Sequence, residues 1–126
     1  MTYAPANPVV WTEIPVRDIE KGIAFYNAAF GYGMKRDDSG PNPMAVLPAN
    51  GGGGVAGHLY PGEPAKPGSG PTIHLAVPDT LEDTAQRFER AGGTIRSDPM
   101  PLPMGRFLYA QDPDGNSIGL FEPKAA

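Results

Sequence analysis

Two rhythms of apolar residues alternate along the chain. Residues 9–15 and 71–77 are short and apolar with polar residues interleaved, which predicts strands. A helical period follows each. Ile19, Ile23, Tyr26 and Phe30 fall at i, i+4, i+7 and i+11, and Leu81, Ala85 and Phe88 do the same over two turns. Each set makes one apolar stripe along a helix. Asp18 and Asp79 stand where the first turns begin. Both are predicted N-caps, since a carboxylate accepts bonds from free backbone N–H groups. Asp79 with Glu82 further predicts a capping box. Gly31 and the pair Gly92–Gly93 are predicted stops, because glycine takes the left-handed conformation that ends a helix.

After each stop the pattern returns to strands, at 32–37, 44–48 and 54–60 in the first half and 94–97, 106–111 and 117–122 in the second. The halves are copies of one plan. Residues 11–31 align with 72–92 without a gap at an offset of 61, and 55–61 lie against 117–123 at an offset of 62. Each copy reads strand–helix–strand–strand–strand. The expected fold is α+β: two βαβββ modules forming a curved, cup-shaped, eight-stranded mixed sheet with the helices outside. A cup between two halves is a natural small-molecule site. The run Asp112-Pro-Asp-Gly-Asn116 is a strong turn signal before the last strand. Its counterpart contains the glycines 51–54, read as a flexible hairpin. They are not a phosphate loop, which runs from a strand into a helix.

Composition narrows the chemistry. The chain has 126 residues, which sets one domain, 1–126, with repeats 8–60 and 71–123 joined by a Gly/Pro-rich linker, 61–70. Cysteine is absent, so disulfides, thiolate nucleophiles and thiolate metal sites are excluded. The net charge is −4, and no basic cluster suggests nucleic acid. No stretch approaches the roughly 18 apolar residues of a membrane span, and the N-terminus lacks a signal-peptide pattern. A soluble, cytoplasmic protein is expected.

The duplicated unit resembles the vicinal oxygen chelate superfamily, which includes glyoxalase I, bleomycin-resistance proteins and extradiol dioxygenases. The resemblance rests on Glu13-Ile-Pro-Val-Arg-Asp18, on Phe25, Tyr26, Phe30 and Gly31, on Ala91-Gly-Gly93, and on Gly105-Arg-Phe107 with Asp112-Pro-Asp-Gly-Asn-Ser-Ile-Gly119. It spans roughly residues 8–123. Metal-dependent members hold a divalent ion with side chains from the first and last strands of each copy. By that resemblance the ligand positions here are Trp11, Gly57, Thr72 and Gly119, none a normal metal ligand. No metal and no cofactor are therefore expected. The resemblance also implies a homodimer.

Among polar residues, His74 and its repeat mate Glu13 each sit two positions beyond a first-strand ligand position, on the same sheet face. They are the candidate catalytic pair, as base and orienter, or two groups gripping a polar ligand. Trp11, Glu13, His74 and Arg106 are the candidate ligand-binding residues. Trp11 either stacks on an aromatic ligand or plugs the cup floor. His58, one position past Gly57, is expected to face away from the cup, and Phe107 and Tyr109 to be core. Residues 98–104, with three prolines, read as a lip over the cup. The expected function is metal-free small-molecule binding. The alternatives left open are a lyase, isomerase or dioxygenase-type enzyme, using a shifted metal or Glu13/His74 acid–base chemistry, and a plugged interaction module. Whether the protein is an enzyme stays undecided at this level.

Overall fold

The computed structural model describes residues 2–50 and 54–124. The hairpin expected at the glycines 51–54 falls mostly on 51–53, outside the described residues. The first module contains β1 (Trp11–Val16), α1 (Ile19–Phe30), β2 (Ala45–Val46) and β3 (Ala56–Pro61). The second contains β4 (Ile73–Ala76), α2 (Leu81–Arg90), β5 (Thr94–Ile95), β6 (Met100–Leu102), β7 (Gly105–Gln111) and β8 (Ser117–Pro123). This is the α+β plan of two helices on a mixed sheet. Its strands divide into a three-stranded sheet, β1-β3-β2, and a five-stranded one, β4-β8-β7-β5 with β6 on β7. No helix among the described residues is long and apolar enough to cross a membrane.

Both helices form where their stripes predict, with one different cap. Asp18 caps α1, its carboxylate accepting from Lys21 N–H at 3.0 Å, and Gly31 ends it at φ 75°. Ile19, Ile23, Tyr26 and Phe30 are all buried. For α2 the cap is Thr80, whose hydroxyl accepts from Asp83 N–H. Asp79 is instead held by Thr84 Oγ1 at 2.9 Å and the Arg87 guanidinium at 2.8 Å, so the expected capping box does not form. The side chain of Arg87 also donates to the carbonyl of Ala29, near the end of α1. The helices meet through rings, Phe25 and Phe88 lying edge to face with centroids 5.0 Å apart.

Residues 32–37 do not form the expected strand; only an isolated bridge joins Asp37 to Met44. The Asn27 side chain explains this. It accepts from Met34 N–H and donates to Met34 C=O, taking both groups a ladder would use. The expected lip at 98–104 contains β6, whose Pro101 is tolerated at a sheet edge.

The pairing register corrects the repeat alignment. Glu13 pairs with His58 across β1 and β3, and His74 pairs with Gly119 across β4 and β8. Both members of the second pair lie 61 positions after their mates, so the offset of 61 persists through the last strand. The offset of 62 was one residue out, and a one-residue slip moves every side chain to the other sheet face.

The Asp112–Asn116 turn closes β7 onto β8, with Gly115 at φ 85°. A Cβ at Gly115 would also lie 2.9 Å from Pro67 of the linker. Gly115→Val should therefore lower the unfolding free energy by about 1 kcal/mol or more. Thermal unfolding followed by circular dichroism tests this, and an unchanged Tm would contradict it.

Candidate functional site

Strands β1 and β4 are edge strands of their sheets, and a cavity of about 780 Å³ opens between them. Trp11, Glu13, Thr72 and His74 all line it. Alternation sorts the two faces of β1. Ile14 and Val16 are buried in the core, while Trp11 and Glu13 point the other way, toward the cavity. On β4, Ile73 and Leu75 pack against the core and also border the cavity, while His74 stands on the opposite, exposed face. Trp11 is 49% exposed, so the indole does not fill the space between the sheets.

The corrected register puts His58 on the sheet face of Trp11 and Glu13, contrary to the expectation that it faces away, and there it backs both residues without lining the cavity itself. The Trp11 indole N–H donates to His58 Nδ1 at 2.9 Å, and His58 Nε2 lies 3.3 Å from Glu13 Oε1. An indole can only donate, so Nδ1 must carry its lone pair and the ring proton sits on Nε2, facing the carboxylate. Trp11 is hydrogen-bonded to His58, which stands within ion-pair distance of Glu13, with Tyr60 edge-on to the imidazole. Sequence reasoning missed His58 through the alignment slip. The matching of Leu59 with Leu120 at an offset of 61 was the available signal.

Glu13 and His74 share the cavity, but the direct partner of Glu13 is His58. The two residues line the cavity from different sheets, and no hydrogen bond or ion pair joins them among the described residues. His74 pairs in register with Gly119, and its ring occupies the space that a side chain at 119 would need. Phe107 and Tyr109 flank that ring with centroids 5.4 and 5.9 Å away. Tyr109 is exposed and Phe107 half-buried, so both stand beside His74 rather than in the core. Beside them, the Thr72 and Ser117 hydroxyls share a 2.6 Å hydrogen bond.

Arg106 lies elsewhere. Its position on β7 places it on the helix side, one step from Phe107. Its guanidinium bonds both oxygens of Glu82 at 2.8 Å and Glu122 at 2.6 Å. That contact holds the Glu82 carboxyl down to about 2 and lowers that of Glu122. Glu122 also accepts from Leu81 N–H, so Arg106 secures the start of α2 and does not reach the cavity.

The superfamily's metal can be tested against these donors. With the register corrected, the ligand positions read Trp11, His58, Thr72 and Gly119. An indole has no lone pair to give, and the one imidazole lone pair of His58 is taken by that indole. The Thr72 hydroxyl is bonded to Ser117, and Gly119 has the His74 ring where a ligand side chain would stand. These residues do not fit a divalent ion. No cluster of three or more His, Asp or Glu suited to a metal exists among the described residues.

The paired modules and the open cup between their sheets define a class of proteins, and comparison with known families identifies it. Residues 9–120 match the model of the Glyoxalase/Bleomycin resistance protein/Dioxygenase superfamily. The chain belongs to that superfamily. Among solved structures it is similar to TnmS3, an antibiotic binding protein from Streptomyces sp. CB03234, at 24% identity and TM-score 0.64, covering 97% of this chain and 100% of that one. It is also similar to a glyoxalase/bleomycin resistance protein from Albidiferax ferrireducens T118, at 22% identity and TM-score 0.64, covering 91% and 98%. A glyoxalase I mutant from Zea mays matches at 22% identity and TM-score 0.69, covering 91% of this chain and 46% of that one. No curated protein matches the chain.

Proposed function

We propose that this protein binds a small planar organic ligand in the β1/β4 cavity, as a homodimer and without the metal chemistry of its superfamily. The observation that carries the reading is the half-exposed indole of Trp11 beside a cavity of about 780 Å³. That volume lies within the range of ligand sites, and an open indole face offers stacking area at low entropic cost. The hydrogen bond to His58 fixes the ring plane before a ligand arrives, which lowers the ordering cost of binding. The similarity to an antibiotic binding protein supports a binding role for the cup. The donor set at the ligand positions supports the metal-free reading.

Trp11 is the only tryptophan in the chain, so its emission reports on this cavity alone. Titration with planar aromatic compounds should quench that emission saturably, and elemental analysis should find no stoichiometric divalent ion. Light scattering should give twice the 13.3 kDa chain mass. Failure of every planar compound to perturb Trp11, or one tightly held metal per chain, would overturn the binding reading.

A further inference from the structure

We infer that the β1/β4 cavity selects neutral and cationic aromatic ligands against anionic ones, with Glu13 as the group that discriminates. This rests on the binding reading above and adds the charge class of the ligand.

Among the described side chains that line the cavity, Glu13 alone carries a formal charge; no lysine or arginine is among them. The undescribed internal residues, 51–53, are all glycine and add no charged side chain. Arg106, the one cation among the ligand-binding candidates of the sequence, is committed to Glu82 and Glu122 on the helix side.

The charge of Glu13 is not cancelled by its partner. Because Nδ1 of His58 accepts from the Trp11 indole, the imidazole that approaches Glu13 at 3.3 Å is the neutral tautomer. The Trp11, His58 and Glu13 cluster therefore keeps a net charge of one negative unit. His58 engages Oε1, while Oε2 has no partner among the described residues, and the side chain is 65% exposed. That oxygen is free to accept from an ammonium or an N–H of a ligand. The indole face next to it attracts a cation through its quadrupole. An anionic ligand meets repulsion from Glu13 and no cation to offset its desolvation. The remaining polar groups, the Thr72 and Ser117 hydroxyls, serve neutral ligands equally well.

The test uses three probes of one shape on the full chain: anthracen-9-ylmethylammonium, anthracene-9-methanol and anthracene-9-carboxylate. Binding is read from Trp11 emission and by calorimetry at pH 8, above the ordinary range of imidazoles. The expected order of affinity is ammonium, then alcohol, then carboxylate, with about a tenfold gap between the first and last, as befits a partly exposed carboxylate. Glu13→Gln keeps an acceptor for His58 and should collapse that gap to about twofold. A carboxylate that binds as tightly as the ammonium overturns the inference and leaves the binding reading standing. So does an unchanged gap in folded Glu13→Gln protein. Silence from all three probes by both measurements overturns the binding reading and this inference with it.

Discussion

Asp112→Ala is expected to lower the unfolding free energy by about 3 kcal/mol, from the buried Tyr26 hydroxyl left unpaired at about 1–3 kcal/mol and three part-buried donors that lose their acceptor. The carboxylate is 4% exposed and accepts four hydrogen bonds. The Tyr26 hydroxyl donates at 2.8 Å, and Asn116 Nδ2, Asn116 N and Asp114 N each donate at 2.9 Å. These bonds join parts far apart in sequence. Tyr26 lies on the helix of the first module, Asp112 in the turn of the second. Asn116 also donates to the carbonyl of Pro15 in β1 at 2.7 Å. Removing the carboxylate orphans the wholly buried Tyr26 hydroxyl and loosens the turn. Burial pushes the Asp112 carboxyl up, against the pull of Asn116 and Tyr26. The same burial raises the Tyr26 phenol well above its usual value. Urea unfolding measures the effect. Tyr26→Phe alone should cost about 1 kcal/mol, and in its presence Asp112→Ala should cost less, because the orphaned donor is gone. Strict additivity of the two changes would contradict the linkage.

Phe88→Ala should be as severe, costing about 3–5 kcal/mol, the range for emptying a buried aromatic site. Phe88 is wholly buried and touches Phe25 at 5.0 Å and Phe30 at 6.3 Å between centroids, both rings on the other module's helix. Its ring occupies the space a Cβ on Gly93 would need, so that glycine keeps the ring seated. Truncation removes the seam between α1 and α2. The loss would be a large share of the roughly 5–15 kcal/mol that holds an ordinary domain folded. Phe88→Leu, which keeps much of the volume, should lose far less. Equal losses for alanine and leucine would show that ring volume does not hold the helices together.

What was legible in the sequence was local. The stripe Ile19, Ile23, Tyr26 and Phe30 marked α1, and Asp18 and Gly31 marked its ends, because caps and period depend on neighbours a few residues apart. The order of the elements made the duplication visible and, with it, the fold. Pairing was less legible. Residues 32–37 look like a strand until Asn27 takes both backbone groups of Met34. The last strand of the first copy looked one residue out of step because its closing proline was aligned with the proline that closes the second. That single step hid His58 from the site. Trp11, Glu13 and His74 were found together because they sit on the strands that carry the strongest repeat. Arg106 was misjudged for a different reason: with Phe107 and Tyr109 read as core, alternation turned Arg106 toward the cup, whereas Leu108 and Ala110 are the buried residues of that strand and Arg106 shares their face.

The seat of His74 over Gly119 ties two positions into one unit of change. A side chain at 119 and an imidazole at 74 compete for the same volume. Position 119 cannot gain a side chain while the imidazole stays. A carboxylate introduced at 119, the first step toward a metal ligand on that strand, would have to displace the imidazole from beside Phe107 and Tyr109. Any mutational path from this cup to a metal-bearing one therefore begins by dismantling the aromatic wall it now has.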